Sequence, residues 1–311
     1  MKVLCFGSLN IDYTYQVEHF VQKGETISST ALQVFSGGKG LNQSIALAKA
    51  GVEVYHAGAV GKDGTFLLGQ LKEAGVHTGH VRVLEDVPTG HAIIQNDKNG
   101  ENCILLFGGA NQEITEGQVD QVLSQFQAGD CLLVQNEVNQ MPYLLQRAHS
   151  MGLKIALNPS PMDEKIWELP LGLVDYFILN EIEAGQLLGA GEDPQGAAAD
   201  GGVSLLENGE KTAELLHRKY PSAAIVLTLG EHGSVFFHQE NCIRQKKYDV
   251  QAVDTTAAGD TFTGYFLGTL FQGGSEQEAM DRAAKASAIA VTRNGASPSI
   301  PALEEVLAFG K

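Results

Sequence analysis

The chain has 311 residues, enough to bury a sizeable core without disulfide or metal staples. Hydrophobic residues make up 43% and charged ones 19%, which excludes disorder and fibrous repeats. Lys and Arg total 21 against 37 Asp and Glu, and this balance of −16 argues against nucleic acid and anionic membrane as partners but not against a nucleotide held by local amides and a divalent cation.

In chain order, residues 3–6 form a short apolar run expected to be a buried strand, too brief for a signal peptide. No apolar run reaches the roughly 18 residues of a membrane span. Gly7-Ser8-Leu9-Asn10-Ile11-Asp12 follows, at the end of a strand where ligands of doubly wound sheets bind. Asn10 and Asp12 share one face there and offer acceptors to sugar hydroxyls, or they are plain turn residues. Residues 12–35 alternate in the strand manner through Tyr13, Tyr15, Val17, Ile27, Leu32 and Val34.

Gly37, Gly38, Lys39, Gly40, Leu41, Asn42 and Gln43 then lie at a strand-to-helix junction. Bare glycine backbone with Lys39 and Asn42 on one helix face suits a polyol, or marks an ordinary glycine turn. It is no P-loop, because Leu41 stands where Ser or Thr would be needed. A helix over 42–50 ended by Gly51, a strand over 52–57 and a helix over 66–74 ended by Gly75 come next. His77 and His80 read as a solvated loop pair. Residues 88–108 form a hairpin pattern around Asn99-Gly100. Further buried strands are expected over 131–134, 154–157, 176–179 and 224–228, with helical stretches between them. The alternation predicts an α/β fold, a mainly parallel sheet covered on both faces. The segments 12–36 and 88–108 read as a small β-lid, discontinuous in sequence, on a single domain spanning 1–311. Residues 189–202, rich in Gly, Ala and Asp, read as a surface loop.

Asn180 and Glu183 leave a strand together, either as oxygen ligands organising hydrated Mg²⁺ or as an N-cap and its partner. A strand over 250–253 is expected to end at Asp254, followed by Thr255, Thr256, Ala257, Ala258, Gly259 and Asp260, with a helix beginning near Gly259. Free amides of that first turn, bare of bulky side chains, form an anion hole. Asp260 beside it either takes a proton from a hydroxyl attacking phosphorus or caps the helix. The four cysteines are scattered without a CxxC pair, so a reduced, cytoplasmic setting is expected. No HExxH, G-x-S-x-G or GxGxxG follows from any strand, which argues against a zinc protease, a serine hydrolase and a dehydrogenase.

Together and in order, these stretches resemble the ribokinase (PfkB-type) carbohydrate kinase family over nearly the whole chain, with Asn180–Glu183 matching its NxxE motif and 228–233 its nucleotide turn. The similarity is greatest to the ribose-phosphorylating members, through Gly109-Ala110-Asn111, Asn158-Pro159-Ser160-Pro161 and the run 292–299. The resemblance implies a three-layer sandwich with a β-lid, and ATP-dependent phosphorylation of the 5-hydroxyl of D-ribose. It implies Asp260 as general base, with Ala257, Ala258 and Gly259 around the anion hole. Asn10, Asp12, Gly38, Lys39, Asn42 and Glu137 are implied as sugar contacts. Asn180, Thr228, Gly230, Glu231, Gly233 and Gly259 are implied for the nucleotide, with Mg²⁺ reached from Glu183 through water. Asp254, Thr256, Ala290, Arg293, Gly295 and Ser299 are implied for an activating K⁺, and the lid for a homodimer. The chain departs from the common pattern at Ala257, at Leu41 and at Ala284, where a polar residue often approaches adenine. Other acceptors, among them fructose, deoxyribose and nucleosides, stay open, as does a catalytically silent sugar-binding regulator.

Overall fold

The computed structural model describes residues 1–189 and 205–310. The expected surface loop over 189–202 therefore lies, apart from Gly189, outside the described residues. Strand β1 (Val3–Phe6) is wholly buried. The chain then leaves the main sheet for β2 (Asn10–Gln16) and β3 (Ala31–Gly37), and returns through helix α1 (Lys39–Lys49) to β4 (Val54–Gly61). Helix α2 (Thr65–Glu73) leads to β5 (His77–Leu84), and the hairpin β6 (Gly90–Asn96) and β7 (Asn102–Phe107) follows. From there strands and helices alternate: α3 (Glu116–Leu123), β8 (Cys131–Gln135), α4 (Met141–Ser150), β9 (Lys154–Asn158), β10 (Tyr176–Asn180), α5 (Glu181–Leu188), α6 (Leu205–Lys219) and β11 (Ala224–Thr228). The strands β12 (Ser234–His238) and β13 (Asn241–Gln245) precede α7 (Ala258–Phe271), α8 (Glu276–Ala290) and α9 (Leu303–Ala308).

Among the described residues the main sheet has nine strands in the order β13-β12-β11-β10-β9-β8-β1-β4-β5. Its pairs are parallel from β11 to β5, and at the other edge β12 runs antiparallel to both β11 and β13. Each interior strand splits its side chains between two cores, because successive residues point to opposite faces. Val3 and Cys5 of β1 pack with α1, α2, α7, α8 and α9. Leu4 and Phe6 pack with α3, α4, α5 and α6. Burial on both faces is why these strands read as unbroken apolar runs. Helices α1 and α2 stop where the glycines were expected to stop them. Gly51 and Gly75 sit at φ 91° and 88°, and the Val52 and Val76 amides reach back to Leu47 and Leu71. No described helix is long and apolar enough to cross a membrane.

The second sheet is separate, with the order β3-β2-β6-β7. It gathers the 12–36 and 88–108 segments expected together, although Val17 and Ile27 fall in the connection between β2 and β3. Two expectations are corrected. Residues 250–253 form no strand: Val253 lies 60% exposed, and its amide bonds the Val291 carbonyl at the end of α8 instead of a neighbouring strand. His77 and His80 are not a loop pair but belong to edge strand β5, where His77 stacks on Tyr55 at 4.5 Å between ring centroids.

Candidate active site

The chain runs from β1 out through β4 to β5, then returns to β8 on the other side of β1. That reversal opens a crevice at the carboxyl ends of β1 and β8, where doubly wound sheets hold ligands. Ser8 follows β1, Glu137 follows β8, and Asn158, Asn180 and Thr228 end β9, β10 and β11. Asn180 and Thr228 are register partners on adjacent parallel strands.

One side of the crevice is made of polar side chains, buried at Asn10, Asn42 and Asn111 and half-buried at Asp12, Lys39 and Glu137. Asn10 is 7% exposed, and its Oδ1 accepts from Asn111 Nδ2 at 2.7 Å. Asn111 is itself fixed by accepting from the Leu9 amide at 3.1 Å. Asp12 lies against Gly37, where a Cβ would come within 2.2 Å of Asp12 Oδ2 and displace the carboxylate from its place. Gly38 caps α1 at φ 94°, which turns the helix into the crevice. Glu137 accepts the Lys39 amide at 3.0 Å and the Ser8 hydroxyl. Burial pushes Asp12 up to about 6, and the charge of Glu137 adds to it. Burial likewise pushes Glu137 up, against the pull of Lys39 and Ser8. Burial alone would lower Lys39, but Asp260, Glu137 and Glu183 outweigh it and hold the ammonium above its ordinary value.

Asp260 is 8% exposed in the first turn of α7. It is not the helix cap: Ala257 holds that position in the left-handed region at φ 59°. The carboxylate instead reaches across to α1, where Oδ2 accepts from Asn42 Nδ2 at 3.0 Å and Oδ1 from Gln43 Nε2 at 2.9 Å. Asn42 Oδ1 is buried without a partner among the described residues. The Ala258 amide bonds back to Thr255 at 3.2 Å, whereas those of Gly259 and Asp260 have no acceptor among the described residues. A Cβ on Gly259 would meet open space. These donors, with the helix dipole behind them, suit an oxyanion.

The other side is more exposed and mostly backbone. Gly230 to His232 form a 3-10 turn closed by the Leu229 amide on the Gly233 carbonyl at 2.9 Å; Glu231 is exposed and Thr228 half-buried. Asn180 and Glu183 make a reciprocal capping box, with Glu183 N–H on Asn180 Oδ1 at 2.9 Å and Asn180 N–H on Glu183 Oε2 at 3.0 Å. The capping alternative is thus present. It leaves Asn180 Nδ2 and Glu183 Oε1 for other partners. Behind the turn, Asp254 ties two segments together by accepting the Thr256 amide at 2.9 Å and the Gly295 amide at 2.8 Å. Burial alone would raise Asp254, but the Thr256 hydroxyl and these amides hold it below the usual carboxylate value. Arg293 turns to Glu305 instead. Ala290 and Ser299 are buried beside the same loop, and Ala284 is half-buried on α8. Among the described residues no group of three or more His, Cys, Asp or Glu is set to hold a metal.

The structure thus joins Asn42 to Asp260 and Lys39 to Glu137, sets Asn180 beside Thr228 at the ends of neighbouring strands, and ties Asp254 to Gly295, while Arg293 points away to Glu305. Ser8 and Gln43 lie within the sequence motifs without a role of their own there, and Gln135 lies outside every motif. The signal for Gln135 was a polar residue closing a strand that is otherwise apolar and wholly buried.

Comparison with known proteins fits this geometry. The profile of the pfkB family carbohydrate kinases matches residues 1–303. The chain is 36% identical to a ribokinase of Haemophilus influenzae over 308 residues, covering 97% of this chain and 96% of that one. Among solved structures, ribokinase of Cryptococcus neoformans in complex with ADP superposes with a TM-score of 0.85 at 35% identity, covering 98% of each chain. Ribokinase of Arabidopsis thaliana complexed with ribose and ATP gives a TM-score of 0.83 at 30% identity, covering 98% of this chain and 97% of that one.

Proposed function

We propose that this chain, which belongs to the pfkB family of carbohydrate kinases, transfers the terminal phosphoryl group of ATP to the 5-hydroxyl of D-ribose. One observation carries the reading: a buried carboxylate, Asp260, held by two side-chain amides beside the unpaired amides that open α7. In-line transfer needs a base for the hydroxyl proton and fixed donors for charge on the phosphoryl oxygens. Asp260 takes the proton, and the amides around Ala257, Ala258 and Gly259 face the phosphoryl group. Asn10, Asp12, Gly38, Lys39, Asn42 and Glu137 bond the sugar hydroxyls. Asn42 Oδ1, unpartnered and buried, suits a hydroxyl donor. Asn180, Thr228, Gly230, Glu231 and Gly233 line the nucleotide. Such a dense polar set favours a small polyol over a nucleoside, whose base needs an apolar slot. A screen of pentoses, hexoses and nucleosides, read by ADP release, tests this; a nucleoside or fructose outrunning ribose would refute the acceptor.

Mg²⁺ supplies positive charge to the phosphates when bound, and Glu183, with Oε1 outside its capping box, fits it through water. For a monovalent cation, Asp254 has no basic side chain against it among the described residues, since Arg293 is taken by Glu305; Thr256, Ala290, Arg293, Gly295 and Ser299 contribute backbone or hydroxyl oxygens. Potassium should raise kcat over sodium by ordering the loop beside the anion hole, and equal rates in both salts would remove that site.

The reading takes 1–311 as one domain on which the second sheet acts as a lid that keeps water from competing as acceptor. Leu32, Val34, Ile104, Leu105, Leu106 and Phe107 lie on that sheet, each more than half exposed. We assign them to a homodimer contact. Light scattering should give a dimer that Leu105→Asp dissociates, and a monomeric wild type refutes the assignment. All four cysteines are free, which suits a reducing cytoplasm and is tested by cell fractionation.

A further inference from the structure

Gln43 is wholly buried between the proposed base and the sheet. Its Nε2 donates to Asp260 Oδ1 at 2.9 Å and to Asn158 Oδ1 at 3.1 Å. Its Oε1 accepts from Gln135 Nε2 at 2.6 Å, and Gln135 is also wholly buried. Asn158 in turn donates through Nδ2 to the Ile178 carbonyl at 2.8 Å. That last bond decides the rest. A backbone carbonyl only accepts, so Asn158 must offer it the amide hydrogens and present Oδ1 to Gln43. Gln43 then has to present its NH₂ to Asn158, and the same NH₂ reaches Asp260. A flipped Gln43 would set its oxygen against both Asn158 Oδ1 and Asp260 Oδ1, and leave Gln135 Nε2 facing a second donor. The amide directions are thus fixed from β10 through β9 to α7.

The two donors on Asp260 differ in kind. Asn42 stands among the proposed sugar contacts, and its Oδ1 is left without a partner among the described residues while its amide donates to Asp260. Gln43 is packed behind the carboxylate with all its strong hydrogen-bonding groups committed. We infer that Gln43 is the positioning residue for Asp260, keeping Oδ1 occupied so that the carboxylate offers Oδ2 to the attacking hydroxyl. The inference rests on Asp260 being the base.

Gln43→Met keeps the volume and removes the bond. It should lower kcat about 10- to 100-fold, the order expected for a misplaced catalytic group, while ribose and ATP dissociation constants stay within about threefold. In an Asp260→Ala background the same change should cost no further rate, because Gln43 acts only through that carboxylate. Equal losses in both backgrounds, or a raised KM with unchanged kcat, overturn the inference. Asp260→Ala retaining wild-type kcat overturns the base reading instead. Should Gln43→Met lose its cooperative thermal transition, Asn158→Ala cuts the chain one link away. It should lower kcat about three- to tenfold, again only when Asp260 is present, and an unchanged kcat overturns the proposal.

Discussion

On the proposed sugar side of the crevice, Asn10, Asn42, Gln43 and Asp260 are between 0% and 8% exposed and bonded to one another or to buried neighbours. On the proposed nucleotide side, the turn at 230–232 and Gly259 are exposed. The difference follows from what each side must discriminate. A buried polar side chain that loses its partner costs roughly 1–3 kcal/mol, so a wall of such groups rejects any ligand that fails to replace every bond. Backbone amides at a helix start accept any anion of the right size, because every residue supplies the same donor. Selectivity should therefore reside on the first side and phosphate affinity on the second.

The largest break comes from the group that joins the two sides. Asp260→Ala should reduce kcat by roughly 10²–10⁴-fold, the usual weight of a general base, with little change in sugar or ATP binding. A variant with near wild-type kcat in a coupled ADP assay would return Asp260 to a structural part. Next in size is the sugar wall itself. 2-Deoxyribose should be phosphorylated at least about tenfold less efficiently than ribose, since one stranded buried group already costs that factor. Asn10→Leu should narrow the gap by removing a partner of that hydroxyl. Steady-state kcat/KM for both sugars on both proteins measures it, and an undiminished gap would take Asn10 out of the sugar site.

The contrast also explains what could be read from the sequence. Strands β1, β8, β9, β10 and β11 were legible because burial on both faces leaves unbroken apolar runs, and the ends of α1 and α2 because Gly51 and Gly75 take a left-handed conformation. The candidate site's motifs drew notice in the sequence because glycine, Asn and Asp recur at strand ends, where doubly wound sheets hold ligands. What joined them was not legible. The bonds from Gln135 and Asn158 to Gln43, and from Gln43 to Asp260, span 92, 115 and 217 positions in the chain, and local pattern carries no signal at that range. The error at 250–253 has the same origin. Those residues look like a strand locally, but the Val253 and Asp254 amides are taken by the Val291 carbonyl at the end of α8, a contact 38 positions away that local pattern does not announce. His77 and His80 were misread because nothing near them in sequence announces Tyr55 as a stacking partner.

The smallest expected effect sharpens the comparison, because it asks whether the proposed sugar side responds to pH as its half-buried carboxylates Asp12 and Glu137 must. Asp12 is raised from its ordinary 3.8 to about 6, first by burial and then by the neighbouring Glu137. Sugar hydroxyls donate to a carboxylate, so binding favours its ionised form. Ribose should therefore bind well above about pH 6 and progressively less well as the pH falls through that value, with KM rising up to about tenfold between pH 7 and pH 5 if only the ionised form binds. Stability of the sugar-free protein must move the other way. A carboxyl whose pKa is higher folded than unfolded holds its proton more tightly in the native state, so its contribution is present below 3.8 and is lost as the pH rises through about 6. Asp12→Asn removes both slopes. It should flatten the pH dependence of the ribose KM and, in urea titrations, remove a loss of stability that wild type shows between pH 4 and pH 7. Glu137→Gln should instead shift the window downward, since one of the two causes of the raised value is gone while burial stays. Opposed trends in affinity and stability across one window are specific to a half-buried carboxylate that the ligand ionises. Parallel trends, or a ribose KM as steep in Asp12→Asn as in wild type, would show that another group governs sugar binding.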